Sequence, residues 1–242
     1  MTHHDVQTAL REYIDPVKAA FYPRFFKTGP GQYGEGDKFL GVTVPNVRKA
    51  IKSFHELPLD EVGKLLTSTW HEDRLAALLI LVWQYPRADT AEQRAIYEFY
   101  ITHTSYINNW DLVDASAEFI VGPYLADKPD KMHVLTKLAC SDSLWERRIA
   151  MLATFHYIKQ GKPDEALAII DILLHDKHDL IRKATGWMLR EIGKRIDRNV
   201  LLAYLDVHAN DMPRTTLRYA IEHLPPAQKT HYMTLKDTQG RS

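Results

Sequence analysis

Cysteine is nearly absent from this chain of 242 residues: Cys140 stands alone. A lone thiol cannot close an internal disulfide, so nothing here requires an oxidising compartment. It follows Leu138 and Ala139 in an apolar helical run, which predicts a buried structural thiol rather than a nucleophile. One cysteine cannot build a structural zinc site, no HExxH occurs and the histidines are scattered, so no metal and no cofactor are expected. An excess of one charge is lacking too. The 31 Lys and Arg balance 31 Asp and Glu, which argues against a generally basic protein that coats nucleic acid but leaves room for a local basic surface. No apolar run approaches the length of a bilayer span; ALLILVWQY (77–85) is too short and reads as a core helix. No cationic stretch followed by an apolar one opens the sequence, so no secretory leader is expected and the cytoplasm is the expected location. Gly-x-Ser-x-Gly and Walker sequences are missing, and strand-like alternation is scarce.

Glycine is sparse except in TGPGQYGEGDKFLG (28–41), where five glycines and Pro30 rule out a regular helix. Gly29, Gly31 and Gly34 spell GxGxxG, but no apolar strand precedes them, so a nucleotide loop is not expected. A loop at one end of a groove is, with Tyr33, Lys38 and Phe39 available to meet a ligand or to pack.

What the chain does have is a helical pattern that recurs every thirty-five or so residues. The stretches 72–85, 108–125, 143–158, 178–195 and 212–224 each start polar and turn apolar at helical spacing. Arg74, Asp111, Arg148, Lys183 and Arg218 occupy matching points, in steps of 37, 37, 35 and 35. A helix pair repeated at this period cannot bury its apolar face alone and must stack on its neighbours. The expected fold is all-α: a HEAT-like repeat solenoid of about six antiparallel helix pairs with a concave groove, forming a single domain over 1–242. An arm broken or bent at Pro16 and Pro23 precedes the repeats, and a frayed polar tail over about 233–242 follows them.

On that groove the densest chemistry is YINNWDLVDASAE (106–118). Trp110 and Asp114 are four apart and share a helix face. Asn108 or Asn109 suits a cap, and Asp111 suits the first-turn acid that offsets a helix dipole. Asp114 lies a turn further in, where an acid needs a partner or a purpose. Of five tryptophans, Trp70, Trp83 and Trp145 read as packing residues, while Trp110 and Trp187 stand among charges. Lys183, Trp187, Arg190 and Lys194 recur at threes and fours, and residues 177–198 carry seven Lys/Arg against three acids. A basic stripe interleaved with an aromatic suits a sugar-phosphate backbone and an exposed base, although solvated helix faces look similar.

NNWDLVD, SLWERR and ATGWMLREIGK, in that order on successive repeats, resemble signatures of the HEAT-like DNA alkylation-repair glycosylases, the AlkD family; GEGDKFLGVTVPNVRK resembles that family's N-terminal region. The resemblance runs from about residue 20 to residue 225. It implies excision of cationic N3- or N7-alkylated purines, such as 3-methyladenine and 7-methylguanine, from double-stranded DNA, without metal and without a pocket for a flipped base; a monomer, nucleoid-associated in use, is expected. It implies Asp114 as catalytic acid, Trp110 and Trp187 against the deoxyribose, and Arg148 near phosphates. The other expected DNA contacts are Lys183, Arg190, Lys194, Arg218 and Lys38. The family's N-terminal aromatic has no match at the same spacing, and Tyr33 is an offset candidate. The alternative is a non-catalytic helical-repeat module that binds DNA structure or a protein partner.

Overall fold

The computed structural model describes residues 1–235. Helix is the only regular structure among the described residues, and β pairing is confined to one isolated bridge between Lys38 and Trp70. In chain order the α-helices are α1 (His3–Arg11), α2 (Pro16–Phe25), α3 (Val44–Ala50), α4 (Leu59–Leu66), α5 (His71–Gln84), α6 (Thr90–Thr102), α7 (Trp110–Asp114), α8 (Ala117–Leu125), α9 (Lys131–Ala139), α10 (Leu144–Ala153), α11 (Phe155–Lys159), α12 (Asp164–Leu173), α13 (Asp179–Arg195), α14 (Arg198–His208), α15 (Arg214–Ala220) and α16 (Pro226–Thr234). The chain divides into two compact units, Met1–Tyr124 and Leu125–Ser242.

The first unit is built around α5. Every residue from His71 to Leu81 is buried; the apolar run from Leu75 predicts this for its own residues, and the four ionisable residues before it are enclosed as well. Helices α1, α3, α4 and α7 pack against it. Only Thr67–Trp70 separate α4 from α5, and so short a connection folds the second helix back on the first. Pro16 opens α2, where its missing N–H is harmless, and the Asp15 carboxylate caps that helix by accepting from the Val17 and Lys18 amides at 3.0 and 3.1 Å. The glycine-rich segment is a run of turns that ends at Gly41. Its φ is +82°, and a Cβ there would lie 2.1 Å from the Asp15 carbonyl oxygen, so only glycine fits.

The second unit is organised on α13, against which α10, α11, α12, α14 and α15 pack. Gly186 lets α15 approach closely: a Cβ there would lie 2.4 Å from the Thr216 carbonyl oxygen.

Two expected elements are each two helices. The stretch 108–125 breaks after Asp114, and 143–158 breaks at Thr154. Both breaks carry the same kind of bonding. The Ser116 hydroxyl donates to the Leu112 carbonyl at 2.6 Å and the Thr154 hydroxyl to the Met151 carbonyl at 2.6 Å, while both backbone amides turn to carbonyls three residues back. Such side-chain bonds compete with the helical ladder. Cys140 is exposed at the C-terminal cap of α9, not buried, because the apolar run that precedes it stops one residue earlier. Of the expected frayed tail, residues 233 and 234 close α16, and 236–242 lie outside the described residues.

Candidate functional site

Helix α5 opens with four consecutive ionisable residues, His71, Glu72, Asp73 and Arg74, none more than 3% exposed. Side chains of this kind stay inside only when partners meet them. Glu72 accepts the backbone amides of Leu40, Gly41 and Val42 at 2.9, 2.8 and 3.1 Å, tying the end of the glycine-rich segment to α5; burial still pushes its carboxyl up. Asp73 accepts from the Gln7 amide and the Ser68 hydroxyl, both at 2.8 Å. Arg74 donates to Asp37 Oδ1 at 2.6 Å, to Asn108 Oδ1 at 3.2 Å and to the Ser68 carbonyl at 3.0 Å.

His71 is held at both ring nitrogens. Nδ1 lies 3.0 Å from Asp37 Oδ2, and Nε2 lies 2.8 Å from Asp111 Oδ2. Burial disfavours its charged form, but the Asp111 and Asp37 carboxylates outweigh that and raise its pKa to about 9. At neutral pH it is therefore an imidazolium donating to both acids. Burial would likewise raise Asp37, yet His71 and Arg74 hold its carboxyl below the usual range.

This network meets α7 at two points, Asn108 just before the helix and Asp111 within it. Asn109 caps α7, its side-chain oxygen accepting the Trp110 amide at 2.9 Å, while Asn108 serves Arg74 instead. Asp111 is thus more than a first-turn acid. The half-buried Trp110 stacks on Phe26 with ring centres 5.5 Å apart and meets the edge of Phe25 at 5.8 Å. Phe26 and Phe39 in turn cover His71, at 5.0 and 4.8 Å. Asp114, also half-buried, ends α7; its charge reaches Tyr100, whose hydroxyl burial raises first, against the Ser116 bond and with Asp114 adding to it.

The aromatics at Trp110 come from the end of α2. Phe25 is 48% exposed beside it, whereas the offset candidate Tyr33 is half-buried in the glycine-rich segment. The spacing of Phe21 and Phe25 at a helical interval was a signal for this contact, and the proline between them obscured it. Lys38 is exposed, and its carbonyl accepts the His71 amide at 2.8 Å. In the GxGxxG stretch the Gly29, Gly31 and Gly34 amides donate to Gln32, Glu35 and the Lys27 carbonyl, at 3.0, 2.9 and 3.0 Å. None of the three points at an anion site.

The second unit carries the remaining candidates. Arg148 is only 5% exposed and donates to the Leu180 carbonyl at 2.6 Å, so it joins α10 to the start of α13. Its neighbour Arg147 pairs with Asp176 at 2.7 Å. Half-buried Trp187 points its indole N–H at Glu191, 3.3 Å away, and packs on Phe155. Lys183 pairs with Asp179 at 2.7 Å, and Arg190 pairs with Glu222. Lys194 and Arg218 are exposed and form no ion pair among the described residues. Arg190, Lys194, Arg198 and His223 line a cleft of about 320 Å³ where α13, α14 and α15 meet. Among the described residues, no group of three or more His, Cys, Asp or Glu side chains is arranged to hold a metal ion.

Residues 6–224 match the family model described as DNA alkylation repair enzyme. No curated protein matches the chain. Among solved structures it is similar to a predicted DNA alkylation repair enzyme from Enterococcus faecalis, with 18% identity, 88% of this chain and 97% of that chain covered, and a TM-score of 0.68. At that identity the likeness carries the fold, a helical-repeat fold, and the family model carries the kinship. The chain belongs to the DNA alkylation repair enzyme family.

Proposed function

We propose that the protein is a DNA glycosylase that hydrolyses the N-glycosidic bond of cationic N3- and N7-alkylpurines, such as 3-methyladenine and 7-methylguanine, in duplex DNA. The observation that carries this reading, alongside family membership, is α7: a helix of five residues presents Trp110 and Asp114 and is clamped at Asn108 by a hydrogen bond from Arg74 and at Asp111 by the ion pair with His71. A cationic base is already a good leaving group. The C1′–N bond breaks with its electron pair passing to the purine, which loses its positive charge as the sugar gains one. The Asp114 carboxylate stabilises that oxocarbenium-like state, and water then adds to C1′ and gives up its proton to the carboxylate. Trp110 offers an aromatic face to the deoxyribose, Trp187 offers one to the bound DNA, and Lys183, Arg190, Lys194, Arg218 and Lys38 supply positive charge for phosphates. Arg148, being buried, acts by orienting the start of α13.

The test is single-turnover release of 7-methylguanine from methylated duplex DNA, with and without EDTA. The wild type is expected to excise equally well in both. Asp114→Asn is expected to fold and to bind duplex, and to excise about a hundredfold more slowly, corresponding to roughly 3 kcal/mol of lost transition-state stabilisation. Full activity in Asp114→Asn removes the mechanism. A folded but inactive wild type that still binds DNA favours a non-catalytic repeat module.

A further inference from the structure

A helix of five residues cannot hold its own position, because so short a segment does not repay its nucleation. Beyond Asp114 the ladder breaks at Ser116, so α8 does not steady α7 as a continuous helix would. The attitude of α7 must therefore come from what it is bonded to. On one side there is a chain of side chains: Asp37 from the glycine-rich segment, His71 from α5 and Asp111 from α7, with Arg74 joining Asp37 to Asn108. Two cations and two anions alternate in it; His71, Asp37 and Arg74 are buried, and Phe26 and Phe39 cover the His71 ring.

We propose that His71 and Asp37 are positioning residues for the α7 site: the buried Asp37–His71–Asp111 bridge sets the rotation of α7 and so the attitude of Trp110 and of the Asp114 carboxylate. The catalytic part of this rests on the glycosylase reading above. Asp111 and Asp114 are three residues apart, so any rotation of α7 that loosens the Asp111 bond also swings Asp114. A displacement of about 1 Å of a reacting group is enough to slow a reaction about a hundredfold. The charged and titratable groups around His71 are Asp37 from the glycine-rich segment, Asp111 from α7, Glu72 and Arg74 from α5 itself, and Tyr22 from α2, which lies in the field of Glu72 and Asp111. With both acids beside it, His71 keeps its proton at neutral pH and donates at both ends.

The experiment compares His71→Ala, His71→Gln and Asp37→Asn with wild type in three measurements at pH 7: thermal unfolding, dissociation constant for intact duplex, and single-turnover excision of 7-methylguanine. A fourth, independent of activity, is the Trp110 indole N–H resonance. In His71→Ala, excision is expected to fall at least tenfold while duplex affinity changes less than about twofold, and the Trp110 resonance is expected to shift or broaden while the other indole resonances hold. His71→Gln, whose amide still donates toward Asp111, recovers part of both. If wild type does not excise, the glycosylase reading fails by itself and the Trp110 resonance still decides the positioning. A folded His71→Ala with unchanged excision and an unmoved Trp110 resonance overturns the proposal, as does a loss of excision that only follows a loss of duplex binding. If His71→Ala does not fold, His71→Gln and Asp37→Asn decide by the same measurements.

Discussion

At the scale of single residues, two acids on one short helix have different work. Asp111 had the look of a first-turn acid, a contact worth about 0.3–1 kcal/mol. Instead it faces a histidine that is 2% exposed. Removing one charge of a buried pair leaves the other uncompensated, so Asp111→Asn is expected to lower stability by about 3 kcal/mol, read by urea unfolding. The pH dependence has a defined sign. His71 is raised in the folded protein from 6.5 to about 9, so its contribution is full below pH 6.5 and is lost as pH rises through about 9. Asp111→Asn should flatten that loss; a variant whose stability falls over this range as steeply as wild type would show that another group carries it. The spacing of Trp110 and Asp114 was legible because helical neighbours declare themselves in sequence. The bridge was not, since Asp37 and Asp111 lie 34 and 40 residues from His71 and one sequence does not reveal pairing at that distance. Arg148 was legible as a position and not as a direction. The recurring pattern singled it out, but its guanidinium turns inward to Leu180, and its neighbour Arg147 is engaged by Asp176.

At the scale of elements, apolar periodicity located the helices well. The stretches 72–85 and 178–195 match α5 and α13 within a residue at each end. What periodicity could not show was where a helix stops inside an apolar run. Ser116 and Thr154 stand where α7 and α10 give way, each hydroxyl bonded to a carbonyl of the preceding turn, yet Thr185, whose hydroxyl bonds the Ile181 carbonyl at 3.0 Å, leaves α13 unbroken. The same bond gives opposite outcomes, so local sequence does not decide it and packing does. Packing decides Gly186 too. It lies mid-helix, where glycine is unfavourable by up to about 1 kcal/mol relative to alanine, so propensity alone would make Gly186→Ala stabilising. The Cβ would sit 2.4 Å from the Thr216 carbonyl and 2.6 Å from the Tyr219 Cβ, and α15 would have to move. The expected result is a loss of about 1–3 kcal/mol, seen as a lowered midpoint in thermal unfolding. A raised midpoint would mean that α15 yields freely.

At the scale of the whole molecule, a net charge of zero conceals an uneven distribution. Residues 177–198 carry a net +4, from seven Lys/Arg and three acids. The number of cations overstates what a phosphate backbone would meet, because Lys183, Arg190 and Arg195 are already paired with Asp179, Glu222 and Glu191. A cation that leaves an acid for a phosphate exchanges one partner for another, and the net gain is small. Lys194, Arg198 and Arg218 form no ion pair among the described residues, and their charge is available in full. Duplex affinity falls with salt by a slope of roughly 0.9 for each phosphate neutralised. Lys194→Ala and Arg218→Ala are therefore each expected to reduce the slope of log affinity against log salt by about one, at every DNA sequence alike. Lys183→Ala should reduce it by clearly less. Arg148→Ala should act mainly on stability, since it removes a buried donor from the Leu180 carbonyl. Titrations of intact duplex over a range of salt concentrations separate these cases. A slope that drops as much in Lys183→Ala as in Lys194→Ala would mean that the Asp179 pair opens on binding, and an unchanged slope in both Lys194→Ala and Arg218→Ala would take the backbone contact away from this face.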